Sequence, residues 1–270
     1  MAAGIIETLT ELLTSAGVFL GFVFFLYFLQ VLACGLAMRQ FGGKGIYLSA
    51  IVGTPVHEIS HAIMCLPFRH KIDHIALFKP DGCGTLGYVS HSYNPSSLWQ
   101  EIGNFFIGVA PLFGGTATIY LLTFLLLPNS QDIFQTIQVS VETYKGVAGV
   151  ISFFGALYAA LTELASVLFV SAQAEPFLFA LWVYLTASVS LHLSPSPVDM
   201  KGSVKGFILI VLVIAGLRYI SYSTGEALFD RLGGIFLSLS VTYSLCILLA
   251  AGMAVILFVL SLISPKIQGN

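Results

Sequence analysis

Long apolar runs constrain this chain more than any other feature of its sequence. Six of them approach or exceed the roughly 20 residues that a helix needs to cross a bilayer. Hydrophobic residues make up 57% of the chain and charged residues only 9%, whereas a soluble domain carries about 25% charged residues. We therefore predict an all-α polytopic membrane protein with about six transmembrane helices. The six runs are Val18–Met38, Ile46–Leu66, Phe105–Leu127, Pro176–Leu193, Val204–Ile220 and Gly234–Ile263.

The segments between the runs are too short to hold a separate soluble domain. We expect one integral membrane domain over residues 1–270, with its core in residues 46–220. Residues 1–17 repeat apolar side chains at helical spacing and are expected to form an amphipathic helix at the membrane interface. The polar stretch 67–104 alternates polar and apolar residues around an Asp-Gly-Cys-Gly turn, which is typical of a β-hairpin. The net charge of -2 argues against a nucleic-acid partner.

The second apolar run contains the sequence His57-Glu58-Ile59-Ser60-His61. Residues four apart share one face of a helix, so both imidazoles can bind one metal ion while Glu58 lies beside them. Two imidazoles, a third protein ligand and one open position are the ligand set of a catalytic zinc. Ionisable residues in an apolar helix are costly and are usually functional. The motif predicts zinc ligation by His57 and His61, with Glu58 as general base; a polar cluster that only joins helices is the alternative.

A third zinc ligand must come from elsewhere in the chain. We favour Asp199, which follows Ser194-Pro195-Ser196-Pro197-Val198, because the two prolines should unwind the chain and let the carboxylate turn inward. His192 is the rival, since a site with three histidines is chemically reasonable. The remaining histidines are expected to be exposed in loops, namely His70, His74 and His91.

These residues resemble the site-2 protease family of intramembrane zinc metallopeptidases. The likeness begins with His57-Glu58-x-x-His61 in a membrane helix. It continues with Gly108-Val109-Ala110-Pro111-Leu112, which looks like the family's Ala-Gly-Pro element. It ends with residues 193–199, similar to the family's proline-rich segment that closes on a metal-binding Asp-Gly. The stretch 71–89 resembles the family's β-hairpin, which lies near the active site and is thought to help present an unfolded substrate strand.

The resemblance implies a zinc-dependent endopeptidase that hydrolyses peptide bonds of membrane-associated protein substrates. It also implies a multi-pass protein of the bacterial cytoplasmic membrane, with the active site nearer the cytosol. The sequence leaves open whether a membrane partner protein delivers the substrate. It contains no PDZ-like insert, so we expect substrate gating to come from the membrane helices or a partner.

Three positions depart from the family pattern. The family usually has an asparagine before its proline pair, and His192 stands near that place. The Asn or Ser that follows its Ala-Gly-Pro element aligns with Gly114, and Asp199 is followed by Met200 rather than glycine. In the family those asparagines are thought to hold the substrate or polarise its carbonyl. The oxyanion-stabilising group is therefore open here, and His192 is one candidate for that role.

The order of the motifs also constrains the topology. For Asp199 to reach the metal, the helix Pro176–Leu193 must run in the same direction as Ile46–Leu66. Because Phe105–Leu127 returns the chain to the other side, a single crossing by Gly146–Val170 would reverse that direction. We therefore expect Gly146–Val170 to be interfacial or re-entrant. Six crossings result, with both termini on the side of the hairpin.

Three other classes of protein compete with this interpretation. A catalytically inactive, protease-like scaffold or partner subunit has no need of a general base such as Glu58. A membrane di-iron oxidase uses more histidines than the six in this chain. A metal transporter would distribute ligands along several helices, whereas the acidic and histidine positions here converge on one site.

Overall fold

The computed structural model describes residues 2–81, 85–144, 150–220 and 222–263, and these form nine helices and two strands. The first three helices flank the strands: α1 Ala2–Phe41, α2 Gly43–Cys65, β1 Lys71–Ala76, β2 Tyr88–Ser92 and α3 Leu98–Gly108. The other helices are α4 Ala110–Leu126, α5 Ser130–Tyr144, α6 Val150–Ala174, α7 Pro176–Leu191, α8 Pro197–Ile220 and α9 Tyr222–Ile263. The mostly helical class predicted from the sequence is confirmed.

Three of the described helices are long and apolar enough to cross a membrane: Leu20–Phe41 in α1, Phe154–Ala174 in α6 and Leu239–Val259 in α9. Helices α3 and α4 pass the same test as a pair, which gives a fourth candidate. Helix α7 is apolar but has only 16 residues. Length and composition therefore support a membrane protein with three or four spans among these residues.

The single helix predicted over Phe105–Leu127 is wrong, because α3 and α4 meet at Val109 with a bend of 52°. The cause lies two residues later. Pro111 has no N–H to donate to the carbonyl of Ile107, and its ring clashes with that carbonyl in a continuous helix. The chain therefore ends one helix at Gly108 and begins another with proline in its first turn, where proline is tolerated.

The segment between α4 and α7 is a helical hairpin formed by α5 and α6. The side chain of Asn129, just before α5, donates to the carbonyl of Val167 at 2.9 Å and also bonds Ser171. The start of α5 therefore lies beside the end of α6, and the segment returns to the end of the molecule where it began. Helix α6 by itself is long enough to span, which differs from the interfacial or re-entrant segment predicted at Gly146–Val170. Residues 146–149 lie outside the described residues.

Helix α1 is continuous over 40 residues, so no break separates the proposed interfacial helix at residues 1–17 from the apolar run that follows. Residue 1 lies outside the described residues. The apolar part of α1 packs along α9. Together with α4 and α7 these helices enclose the main core, whose largest buried side chains include Leu26, Leu193 and Tyr243.

The predicted β-hairpin is confirmed. Strands β1 and β2 are antiparallel, with Ile75 opposite Val89 and Ile72 opposite His91. Both strands contact α2. Along β2, Val89 and His91 are half-buried while Tyr88, Ser90 and Ser92 are exposed, as expected for a strand with one covered face.

Candidate metal centre

Helices α2 and α7 lie side by side and run in the same direction. The hydroxyl of Tyr184, in the middle of α7, donates to the carbonyl of Leu48 near the start of α2, and His192 just after α7 lies beside His57 further along α2. Gly53 makes this close approach possible: a Cβ there would collide with the carbonyl oxygen of Ser188 and would lie 2.8 Å from His192 Cβ. The parallel arrangement brings the end of α7 and the start of α8 to the HExxH motif.

His57, His61 and Asp199 offer three ligand atoms that all lie within 4.8 Å of one another. The Nε2 atoms of the two histidines are 3.1 Å apart. Asp199 Oδ2 lies 3.5 Å from His57 Nε2, and Asp199 Oδ1 lies 3.4 Å from His61 Nε2. Such a group could hold a metal ion.

Backbone carbonyls fix the proton on each imidazole. His57 Nδ1 lies 2.7 Å from the carbonyl oxygen of His192, and His61 Nδ1 lies 2.7 Å from that of Ile107. A carbonyl oxygen only accepts hydrogen bonds, so both Nδ1 atoms carry the proton and donate it. In neutral imidazoles, both Nε2 atoms then present lone pairs. Metal-binding histidines are usually oriented in this way, by an acceptor that receives the N–H of the ring nitrogen that does not bind the metal.

Helix breaks supply both carbonyls. Ile107 stands four residues before Pro111, which has no N–H, so its carbonyl lacks the usual helical donor and can accept from His61. The carbonyl of His192 would pair with Ser196 N–H if α7 continued. That N–H donates instead to Asp199 Oδ2 at 2.7 Å. The segment between α7 and α8 thus leaves the His192 carbonyl available to His57 and also holds the carboxylate of Asp199.

The donor set fits a cation. Two lone pairs 3.1 Å apart and a carboxylate beside them repel one another unless a positive charge lies between them. A tetrahedral zinc with Zn–N bonds of about 2.0–2.1 Å holds neighbouring ligand atoms about 3.3–3.4 Å apart. The three measured separations are close to that value. The arrangement is therefore suited to a divalent metal with nitrogen and oxygen ligands.

Asp199 lies in the first turn of α8 and is tied to Ser196 in both directions. Its carboxylate accepts from Ser196 N–H, while its own N–H donates to Ser196 Oγ at 3.2 Å. This reciprocal pairing is a capping arrangement for a helix N-terminus. It leaves Oδ1 turned to His61 and keeps the carboxylate from rotating.

Glu58 is buried at the edge of a cavity of about 670 Å³. Glu58 follows His57 directly in α2, and the hairpin covers its side chain from the other side. A Cβ added at Gly87 would lie 2.9 Å from Glu58 Cγ, so the backbone before β2 passes directly over the carboxylate side chain. The cavity is also lined by Thr54, Asn104 and Ser196. The metal-ligand candidates and a buried carboxylate therefore border one cavity.

His192 contributes its backbone carbonyl, and its ring lies away from the three-residue group. Its Nε2 is 3.3 Å from Ser49 Oγ, at the level of Gly53 on α2. Among the described residues, the group of close ligand atoms contains His57, His61 and Asp199 and does not include His192. Gly114 faces the hydroxyl of Ser60, which occupies the space that a side chain at position 114 would need.

The hairpin histidines differ from the exposed loop residues that the sequence predicts. His70 is 5% exposed and His91 is half-buried and lines the cavity, whereas His74 is exposed. Sequence reasoning missed this pair, because their meeting depends on the hairpin register. It also missed the Ile107 carbonyl, although Pro111 four residues later was a usable signal.

No family model, curated protein or solved structure matches this chain.

Proposed function

We propose that this protein is an intramembrane zinc endopeptidase that hydrolyses peptide bonds of membrane-associated proteins, as the resemblance to the site-2 protease family implies. One observation carries the proposal. The imidazoles of His57 and His61 and the carboxylate of Asp199 form a candidate cation site. Glu58, the residue after His57, is buried and lines the same cavity. A site that only binds metal has no need of that glutamate.

His57, His61 and Asp199 would hold the zinc. Zinc in such a site supplies Lewis acidity, which lowers the pKa of a coordinated water to about 7 and polarises a carbonyl. Glu58 takes the proton from the attacking water and delivers it to the leaving amine, as a general base and then a general acid. The Nδ1–H donors to backbone carbonyls keep both imidazoles oriented throughout. His192 acts through its carbonyl, by holding His57.

The substrate must be extended when it is cut, because helical peptide bonds are internally hydrogen-bonded and sterically shielded. We further propose a multi-pass protein of a bacterial cytoplasmic membrane. In this arrangement the hairpin, the Asp199 segment and both termini share one side of the membrane. Six crossings satisfy that arrangement if α2, the α3–α4 pair, α7 and α8 cross together with α1 and α9.

Glu58→Gln tests the mechanism, because glutamine keeps the size of the side chain but accepts no proton. The full chain is purified in detergent, its zinc is counted by plasma mass spectrometry, and hydrolysis of fluorescein-labelled casein is followed. We expect one zinc per chain in both proteins and a rate at least about 100-fold lower in the variant. Glu163→Gln, an exposed glutamate on α6, is the control and should retain both properties.

Two outcomes would contradict the proposal. Full casein hydrolysis by Glu58→Gln would remove Glu58 from the mechanism. A wild-type protein that binds no zinc and cuts no casein would favour the inactive scaffold.

A further inference from the structure

A second pair of histidines forms a hydrogen-bonded chain at the wall of the cavity. His70 Nε2 lies 2.8 Å from the carbonyl oxygen of Gln100, and His70 Nδ1 lies 3.0 Å from His91 Nδ1. The ring of His70 also stacks on Tyr93, with centroids 5.0 Å apart and planes 9° from parallel. These hydrogen bonds join strand β2 and the residue just before β1 to the first turn of α3.

The chain fixes which nitrogen of His91 carries a proton. The Gln100 carbonyl can only accept, so His70 Nε2 donates to it. Neutral His70 then presents a lone pair on Nδ1, and His91 Nδ1 must donate to that atom. Neutral His91 is left with a lone pair on Nε2, at the opposite edge of its ring. Because the chain ends on a carbonyl, it orients His91 and does not conduct protons.

The environment favours the neutral form of His91. Burial, assisted by the neighbouring His70 and by His61, lowers the pKa of His91 below its usual value, although Asp73 opposes the change. His91 lines the same cavity as Glu58 and the three metal-ligand candidates. Among the described residues, the hydrogen bond of the His91 ring is the one between its Nδ1 atom and His70. His91 therefore brings an oriented imidazole to the wall of the space that a substrate would enter.

We propose that His91 Nε2 accepts a hydrogen bond from one backbone N–H of an extended peptide substrate and so positions it across the cavity from α2. This contact rests on the proposed peptidase function. An extended peptide has backbone N–H groups free, whereas a helix uses them internally. The contact therefore selects the unwound form of the substrate, and its partner is a peptide rather than a lipid or a free metal ion.

Two substitutions separate this role from a purely structural one. The amide nitrogen of asparagine matches histidine Nδ1 in position, so His91→Asn keeps the bond to His70 and loses the acceptor in the cavity. The amide of glutamine reaches the position of Nε2, so His91→Gln keeps a polar group in the cavity and loses the bond to His70. A substrate contact predicts that the Asn variant is impaired. If His91 only holds the hairpin through its bond to His70, the Gln variant should be impaired and the Asn variant should not.

Binding of a fluorescein-labelled peptidyl hydroxamate to the full-length protein provides the readout, measured by fluorescence anisotropy. Zinc content and competition by acetohydroxamic acid, which has no peptide backbone, report the metal separately. We expect the peptide probe to bind His91→Asn about 10-fold more weakly, as for the loss of one hydrogen bond. His91→Gln should stay within about 3-fold of the wild type, and both variants should keep zinc and bind acetohydroxamic acid normally.

A set of probes, each N-methylated at one peptide bond, identifies the N–H itself. At one position methylation should weaken binding about 10-fold in the wild type and much less in His91→Asn, as expected for groups that interact directly. The proposal is overturned if no methylation weakens wild-type binding, or if His91→Asn matches the wild type. The wild-type scan can overturn the proposal even if both variants misfold. Failure of the wild type to bind either hydroxamate contradicts the peptidase function, and the substrate contact with it.

Discussion

The imidazoles of His57 and His61 are oriented by backbone carbonyls, and this decides which atoms can meet a metal. Each carbonyl takes the Nδ1 proton, so each Nε2 is left as a ligand atom. The HExxH spacing predicted that the two rings share a helix face, and they do. It could not predict the carbonyls, because every residue has one and only the tertiary fold decides which are free.

Gly53 is the residue on α2 that sets how closely α7 can approach. A methyl group there would collide with the Ser188 carbonyl and His192, whose own carbonyl holds His57. We expect Gly53→Ala to destabilise the protein by about 1–3 kcal/mol, as in other overpacked sites, and to weaken zinc binding. Thermal unfolding in detergent and zinc titration measure the two effects.

Gly155 on α6 provides the matched control, because a Cβ added there has no neighbour within 4 Å. Gly155→Ala should leave zinc affinity unchanged and should not lower the melting temperature, because alanine is favoured over glycine inside a helix. Equal behaviour of the two variants would mean that contact between α2 and α7 does not support the site.

At the scale of elements, the prolines determine where the functional groups emerge. The sequence predicted that the proline pair would end α7 and release Asp199, and α7 does end at Leu191 before that pair. Pro111 has the same effect between α3 and α4, where the apolar run predicts a single helix. Apolar composition is continuous across Val109, and hydropathy alone does not reveal a break of this kind.

Pro111→Ala tests whether the bend serves the metal site. Alanine restores an N–H that can pair with the Ile107 carbonyl, which then competes with His61 for that acceptor. We expect zinc affinity to fall about 10-fold or more, the effect usual for a partner behind a metal ligand. Competition with a fluorescent zinc chelator measures it.

Pro176→Ala is the control for that experiment, since Pro176 lies at the start of α7, where no helical N–H is required. It should bind zinc as the wild type does. Unchanged zinc affinity in Pro111→Ala would show that the freed carbonyl is dispensable.

For the whole molecule, the relation between α2 and α7 is the feature on which the site depends. The sequence argument required these two helices to run in the same direction, and the contacts of Leu48 with Tyr184 and of His57 with His192 have that order. From the sequence, the chain is expected to return through one segment, Gly146–Val170, that does not cross the membrane. The structure instead uses the α5–α6 hairpin, which the sequence could not specify because α5 is polar and resembles a loop by hydropathy.

Site-specific labelling tests the resulting topology. Cysteines are placed at the exposed positions Ser96, after the hairpin, and Gln131, at the start of α5, in a chain whose four native cysteines are replaced by alanine. A membrane-impermeant maleimide should label them from opposite sides in oriented vesicles. Labelling of both from one side would contradict the proposed six crossings.

The most direct test of the metal site is a zinc count on four purified proteins: the wild type, His57→Ala, Asp199→Ala and His74→Ala. The first should contain one zinc per chain, and the two site variants should lose it under dialysis. His74→Ala should match the wild type, because His74 is exposed on the hairpin outside the site. Retention of a full complement of zinc by both His57→Ala and Asp199→Ala would contradict the site described above.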